Sequence, residues 1–425
     1  MNGKLVEIVA AEVLSRVEES RLSLRHVMEE YFSSHPELEP IRGLVRAYLL
    51  GLLRRYRIID SYALHVFDVD VTTMSYWRRA LLRSIIYEAK FRDVGKDRLL
   101  AVIKAAKRLG VRIEWSDIVS VKAVPVKSIL RQYSGVERVA VEYSLPTWVA
   151  GYLLKLLGRE AYRLFKAFNR RQPSWIRVVD ASLREEVVSA LRKRGFSASP
   201  DRDLDDVVRV DAGRGLARTP EYRRGLFVIQ EKASSLVPHL TGFKGVYIDL
   251  TAAPGVKISH VASRSGYGVG VDIKYRRLLA ARNLAKRIRV AVDFVSSDSR
   301  LPPLREVDGV ILDPDCSSLG RLGVSPEMRL WVTPGYVEKY SRLQWELLAS
   351  AYRILRRGGR VIYSTCTLTV EENEENVRRA VEELGLSAIT PEPFIGVPAI
   401  GVEGQRLYPH LHGTIGFFTA VMEKR

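Results

Sequence analysis

The feature that most constrains this chain is a change of register near residue 216. Beyond it, short apolar runs ending in polar residues (GVYIDL, GVGVDI, AVDFVSSD, VDGVILDPD, RVIYSTC) alternate with stretches of helical periodicity (KISHVASRSG, RRLLAARNLAKRIR, VEKYSRLQWELLASAYRILRRGG). Strands joined through helices lie parallel in one sheet with helices on both faces. Ligands of such sheets sit at the carboxyl ends of the strands. The motifs of residues 216–425 are therefore weighed by whether they fall at that edge.

Upstream the pattern differs. Leu5, Val9, Val13 and Val17 recur at spacing four and line one face of a helix, and PIRGLVRAYLLGLLRRYRIID, SYWRRALLRSIIYEAKFRD and KDRLLAVIKAAKRLG interleave apolar positions with basic ones in the same way. Residues 1–145 read as an all-helical domain with a basic exterior. Linker helices come next and end at FNRRQPSW; WIRVVDAS then reads as a strand, REEVVSALRKRG as a helix closed by Gly195, and FSASPDRDLDDVVRV as a loop and strand. Residues 146–215 thus hold linker helices and a small α+β module, too short to bury much alone, so it packs on the domain C-terminal to it. At about 150 residues per domain, the 425 residues agree with this three-part reading.

Composition narrows the classes of function. Apolar residues at 47% with 27% charged exclude a disordered chain, and no uncharged apolar run nears the ~20 residues needed to cross a bilayer. The opening residues carry acids among apolar positions and do not form a secretory signal, which predicts a cytoplasmic protein. Lys and Arg total 67 against 49 Asp and Glu, a net charge of +18 that points to a polyanion or serves only to solvate the surface. The basic residues are spread through the chain, so no membrane-surface helix is predicted. Two cysteines, Cys316 and Cys366, allow at most one disulfide, of little value in the cytoplasm, so each thiol needs its own account. No metal-binding set is read from the sequence.

Four motifs fall at the predicted ligand edge. Asp249-Leu250-Thr251-Ala252-Ala253-Pro254-Gly255-Val256-Lys257 follows one strand and precedes a helix; its small residues let backbone approach a ligand, or form a plain strand-to-helix turn. It is neither GxGxxG nor GxxxxGK[ST], which counts against dinucleotide and nucleoside-triphosphate sites. Asp272, 23 positions after Asp249 at the tip of the next strand, suits ribose hydroxyls or caps the following helix. Asp298 faces an adenine edge or starts a turn. Asp313-Pro314-Asp315-Cys316 and Ser364-Thr365-Cys366-Thr367 end two more strands. A lone cysteine is most often a small buried hydrophobe, but two at one edge beside Asp313 read better as an activated thiolate site.

The set DLTAAPGVK, VDI, SSDSR, DPDCSS and YSTCTLTVEENEENV, with VIQEKASSLVP upstream and RLYPHLHGTIGFFTAVM at the end, resembles RNA (cytosine-5)-methyltransferases of the RsmB/Fmu/NSUN family. The N-terminal half resembles, through helix pattern and words such as RGLVRAYLLGLLRR, the NusB-like RNA-binding domain of the RsmB branch, and the α+β module is expected to be RRM-like. The resemblance implies a Rossmann-like methyltransferase domain over 216–425 and S-adenosyl-L-methionine as methyl donor. Thr251, Ala252, Ala253, Pro254, Gly255, Val256 and Lys257 would form the cofactor loop, Asp272 would bind the ribose, Asp298 would lie by the adenine, and Asp313 would border the donor.

The resemblance also assigns the chemistry. C5 of cytosine is too poor a nucleophile to attack a methyl sulfonium directly, so a thiolate first adds to C6. Cys366 would be that nucleophile, Cys316 would assist product release, and Asp313 would hydrogen-bond the ring, protonating or polarising N3 with a carboxyl group protonated when it acts. Lys257 would lower a thiol pKa or hold the loop backbone. The expected partner is ribosomal RNA of the small subunit, single-stranded or flexible at the target, with the enzyme monomeric; a tRNA methyltransferase or an inert RNA-binding assembly factor are the alternatives. Three positions depart from the family's usual pattern. Val256 replaces a second Gly, Ser318 stands where Gly or Thr is usual, and Asp315 replaces Pro, adding a carboxylate expected to raise the pKa of Cys316.

Overall fold

The structure is a computed structural model and describes residues 5–211, 215–242 and 245–425. The chain divides into two compact units.

The first unit runs to Arg170 and also takes in Leu322–Thr333. Its helices include Val6–Ser20, Leu24–Ser34, Arg42–Leu53, Tyr56–Phe67, Tyr76–Phe91 and Lys96–Arg108. Val9, Val13 and Val17 have no exposed surface, and Leu5 packs at the margin of the same core, as the spacing of four requires. Each such side chain contributes about 1.5–3 kcal/mol by leaving water. Not every arginine lies on the exterior. Arg83 is buried between Glu18 and Asp60, donating to both at 2.6–2.7 Å. Arg329 is buried too, its guanidinium donating to Ser144 O, Asn169 Oδ1, Phe168 O and Leu322 O at 2.9–3.1 Å, which ties the segment around it into the helical unit.

The second unit comprises Arg171–Arg321 and Pro334–Arg425. It opens with the small module: β1 (Ser174–Val178), a helix (Arg184–Lys193), β2 (Ser197–Pro200), β3 (Val207–Asp211) and β4 (Phe227–Ile229), all antiparallel in the order β2-β3-β1-β4. Gly195, at φ +84°, lies just beyond that helix. Ile176, Val188, Leu191, Val208 and Phe227 form the module's core. The module packs on its neighbour: Arg177 donates to Ser263 Oγ at 3.3 Å, and Asp206 accepts from His260 at 2.6 Å.

The larger sheet contains β5 (Tyr247–Asp249), β6 (Tyr267–Asp272), β7 (Ala291–Ser296), β8 (Val307–Leu312), β9 (Leu355–Thr365), β10 (Leu386–Ile389), β11 (Val397–Pro398), β12 (Gln405–Leu407) and β13 (Phe417–Lys424). Its order is β11-β12-β13-β9-β8-β5-β6-β7, with β10 on β13. The five strands from β9 to β7 are parallel; β10 to β13 extend the sheet antiparallel. Helices Val256–Ser265, Tyr275–Ile288 and Pro334–Ile354 lie between successive parallel strands. Consecutive residues of β5 and β8 (Tyr247, Ile248; Val310, Ile311, Leu312) are all buried although they point to opposite faces, so both faces are covered.

One expected element is corrected. The helical reading of VEKYSRLQWELLASAYRILRRGG runs on through RILRRGG, but the helix stops at Ile354 and Leu355 already pairs with Val307 in β9. Gly358 takes φ +74°, away from helical backbone, and a Cβ at Gly359 would lie 2.9 Å from Arg356 O, so this stretch of β9 needs its two glycines. Among the described residues, no helix is long and apolar enough to cross a membrane.

Candidate active site

The loop after β5 is held open by its neighbours. Thr251 N–H donates to Asp249 Oδ1 (2.9 Å), Thr251 Oγ1 accepts from Asp313 N–H (2.8 Å), and Ala252 N–H donates to Val271 O on β6 (2.9 Å). Thr251 therefore braces the loop after β5 against the loop after β8. Gly255 sits at φ +93°, and a Cβ there would lie 2.6 Å from Ala281 Cβ, so only glycine lets the loop rest on helix Tyr275–Ile288. Arg277 donates to Ala253 O at 2.7 Å and pairs with Asp272 at 3.3 Å, joining the loop to the tip of β6. Pro254 and Gly255 lead into helix Val256–Ser265, with Val256 half-buried in its first turn.

Both carboxylates beyond this loop have local partners. Asp272 accepts the Lys274 N–H at 2.8 Å, the helix-entry role, while its position at the end of β6 is the one a ribose acceptor needs. Asp298 accepts from the Arg300 backbone (2.9 Å) and guanidinium (2.6 and 3.1 Å), and the guanidinium hydrogen bonds hold it below the usual carboxylate range. Burial pushes Asp249 up to about 7, against the pull of the Thr251 N–H. The set fits an adenosyl ligand: a loop of small side chains, an acid at the neighbouring strand tip, and a ten-residue helix whose first N–H groups suit a carboxylate. Gly270 keeps this face of β6 bare, since a Cβ there would meet Ala252 and Phe294 at 2.9 Å.

The thiols come together because β8 and β9 are adjacent and parallel, with Leu312 opposite Tyr363. Cys316 and Cys366 follow these strand ends, and their sulfurs stand 3.1 Å apart. Cys316 is buried and Cys366 partly exposed. Their pKa values separate. The hydrogen bond with Cys316 pulls Cys366 below its ordinary value, burial opposes this, and the Arg321 charge assists. Cys316 is pushed well up by that hydrogen bond, by burial, and by the charges of Cys366 and Glu372. At 3.1 Å the two sulfurs are close enough to share one proton, and the directions of the two shifts are opposite. The rise expected for Cys316 is present, with Cys366, burial and Glu372 as its main causes in place of Asp315, an exposed residue.

Asp313 lies beside the pair. Its two oxygens accept from Lys257 Nζ and from Ser364 Oγ (2.9 Å). Burial lowers the pKa of Lys257, but Asp313 more than compensates, so the ammonium is retained. The hydrogen bond of Lys257 goes to Asp313, a contact outside the two roles expected of it. Ser364, Arg321 and Glu372 were not singled out by sequence reasoning. The run VEENEEN after the second cysteine was a signal, because carboxylates between a strand and a helix must find donors if they are buried.

A second titratable cluster had no sequence signal. Asp206, His239 and His260 bring three ligand-type atoms within 4.8 Å of one another. Asp206 accepts from both imidazoles (2.9 and 2.6 Å), which hold it below its usual range against burial, and burial with the Arg177 charge lowers His260 to about 3. The three side chains are thus satisfied by one another.

Residues 240–423 match the family described as 16S rRNA methyltransferase RsmB/F. The chain is 36% identical to the tRNA (cytosine(72)-C(5))-methyltransferase of Pyrococcus horikoshii over 49% of its own length, and spans about half (55%) of that relative. It is 26% identical to the ribosomal RNA small subunit methyltransferase B of Cronobacter sakazakii over 98% of both chains. Among solved structures, PH0851 shares the fold over 99% of both chains (TM-score 0.82, 24% identity). NSun6 of Pyrococcus horikoshii, solved with an S-adenosylmethionine analogue, matches 64% of this chain and 97% of its own (TM-score 0.59, 26% identity). Over residues 240–423, a little under half of its length, the chain is similar to the RsmB/F family of 16S rRNA methyltransferases, a family whose methyl donor is S-adenosylmethionine.

Proposed function

We propose that this protein methylates C5 of a cytosine in small-subunit (16S type) ribosomal RNA through a covalent bond between Cys366 and C6. The observation that carries the chemistry is the 3.1 Å approach of the two sulfurs with their pKa values driven apart. The Cys366 thiolate adds to C6 and makes C5 enamine-like. Bound S-adenosylmethionine supplies the electrophilic methyl group. Asp313, between Lys257 and Ser364, meets the N3 edge of the ring, and the Lys257 ammonium is the store from which a proton reaches N3 as the thiolate adds. With the donor left as S-adenosylhomocysteine, water takes the C5 proton, that electron pair re-forms the C5–C6 double bond as the C6–S bond breaks, N3 returns its proton to the Asp313–Lys257 pair, and Cys366 leaves as a thiolate, which the Cys316 S–H stabilises by donating to it. The loop Thr251 to Lys257, Asp272 and Asp298 hold the donor.

The choice of ribosomal RNA rests on coverage. The small-subunit rRNA enzyme from Cronobacter aligns through the helical unit as well, whereas the more identical tRNA enzyme aligns over half the chain. We read residues 1–145 as a NusB-like RNA-binding domain. The β2-β3-β1-β4 order of the small module supports an RRM-like reading. The enzyme acts as a cytoplasmic monomer on a single-stranded or flexible cytosine, since a stacked, paired base offers no face to both thiolate and donor.

The test is incubation with methyl-labelled S-adenosylmethionine and either small-subunit rRNA or tRNA, followed by mapping of 5-methylcytosine. Label in rRNA that Cys366→Ala abolishes is expected. Label confined to tRNA rejects the substrate, undiminished label in Cys366→Ala rejects the nucleophile, and no label in any RNA favours an inert assembly factor.

A further inference from the structure

Glu372 has no exposed surface, and its carboxylate holds four hydrogen bonds from neutral donors. Oε1 accepts from Ser317 N–H (2.8 Å) and Gln344 Nε2 (3.1 Å); Oε2 accepts from Thr369 Oγ1 (2.7 Å) and Ser317 Oγ. Ser317 immediately follows Cys316, and Thr369 lies three residues beyond Cys366. The Ser317 hydroxyl also meets Thr367 Oγ1 at 2.6 Å, and Gln344 Nε2 donates to Asp315 O at 3.0 Å. Ser317, Gln344, Thr367 and Thr369 are themselves without exposed surface. Burial raises the pKa of Glu372 while its hydrogen bonds from Ser317, Thr369 and Gln344 pull it down, and in this low-dielectric surrounding the charge of the ionised carboxylate reaches neighbouring groups weakly screened. Lys257, Asp313, Arg321, Tyr340 and Tyr363 also face the sulfur pair, with Asp315 exposed beside it, but the hydrogen bonds of Glu372 run to both cysteine-bearing loops.

We propose that Glu372 is a positioning residue of the two-thiol reaction: it fastens the Cys316 loop to the Cys366 loop and places a fixed negative charge that keeps the shared proton on Cys316. Cys316 stays the donor and Cys366 the nucleophile. The inference rests on the covalent mechanism proposed above and adds what holds its two sulfurs in unequal roles. The direction of the Cys316 shift, to which the Glu372 charge contributes, agrees with it.

The test compares wild type, Glu372→Gln and Ser317→Ala in the full chain. The readouts are single-turnover methyl transfer, accumulation of the covalent RNA adduct, and the pH dependence of iodoacetamide labelling at each cysteine, resolved by peptide mass. Glu372→Gln removes the charge and should lower the labelling midpoint of Cys316 by about one pH unit and slow transfer about tenfold, with KM for S-adenosylmethionine unchanged. Ser317→Ala keeps the charge and the Ser317 N–H bond; it should slow transfer a few-fold with the Cys316 midpoint in place. A merely structural role would not move the midpoint in the first variant and spare it in the second. Glu372→Gln that labels and turns over like wild type overturns the inference; if that variant does not fold, Ser317→Ala turning over like wild type does so. Wild-type protein that forms no adduct through Cys366 overturns instead the mechanism on which the inference rests.

Discussion

Replacing Cys316 by alanine tests the division of labour between the sulfurs most directly. In the folded protein the hydrogen bond between the two sulfurs, at 3.1 Å, does most to keep Cys366 below its ordinary pKa, and in the proposed mechanism Cys316 is its donor. A hydrogen bond to a charged group contributes about 1.5–3 kcal/mol, and one pKa unit corresponds to about 1.4 kcal/mol, so losing it raises the Cys366 midpoint by roughly one to two units. Arg321 and the more distant Ser318 hydroxyl (3.6 Å) remain, which favours the lower end of that range. The assay is iodoacetamide labelling of Cys366 across pH in both proteins, read on the isolated peptide. The same variant deprives the leaving sulfur of its donor, so an RNA adduct formed with S-adenosylmethionine present should persist on a denaturing gel. A labelling midpoint identical to that of wild type would refute the reasoning.

Three further outcomes concern the cofactor side of the site. Gly255→Ala places a Cβ 2.6 Å from Ala281 Cβ at φ +93°, costing about 2–5 kcal/mol from left-handed backbone and overpacking together; thermal unfolding should fall by several degrees, and adding Ala281→Gly should restore part of the loss. Asp272→Asn should weaken S-adenosylmethionine binding about ten- to a hundredfold by titration calorimetry, the equivalent of one lost charge-assisted hydrogen bond, and unchanged affinity removes Asp272 from the cofactor site. Asp249, raised by burial to about 7, gives stability that is whole below the unfolded pKa near 4 and is lost as pH rises to 7; Asp249→Asn should flatten the fall in melting temperature over that window, a difference of at most about 4 kcal/mol.

What could be read from the sequence was whatever depends on periodicity and order along the chain. Val9, Val13 and Val17 had to share a helix face, and the runs ending at Asp249, Asp272, Leu312 and Thr365 had to end at one edge once their crossovers were helical. That argument brought both cysteines to one place without a coordinate. It could not show that β8 and β9 are neighbours, and adjacency is what reduces a shared edge to a 3.1 Å contact. Burial of charge was equally hidden: Arg83 and Arg329 sit in patterns indistinguishable from those of solvated arginines, and only the acceptors around them, drawn from distant parts of the chain, make their burial tolerable. The Lys257–Asp313 and Glu372–Ser317 contacts join residues 56 and 55 positions apart. A motif can name such residues, but which partner each one finds, and therefore which sulfur keeps the proton, is decided by packing between loops whose separation in sequence carries no periodic signal.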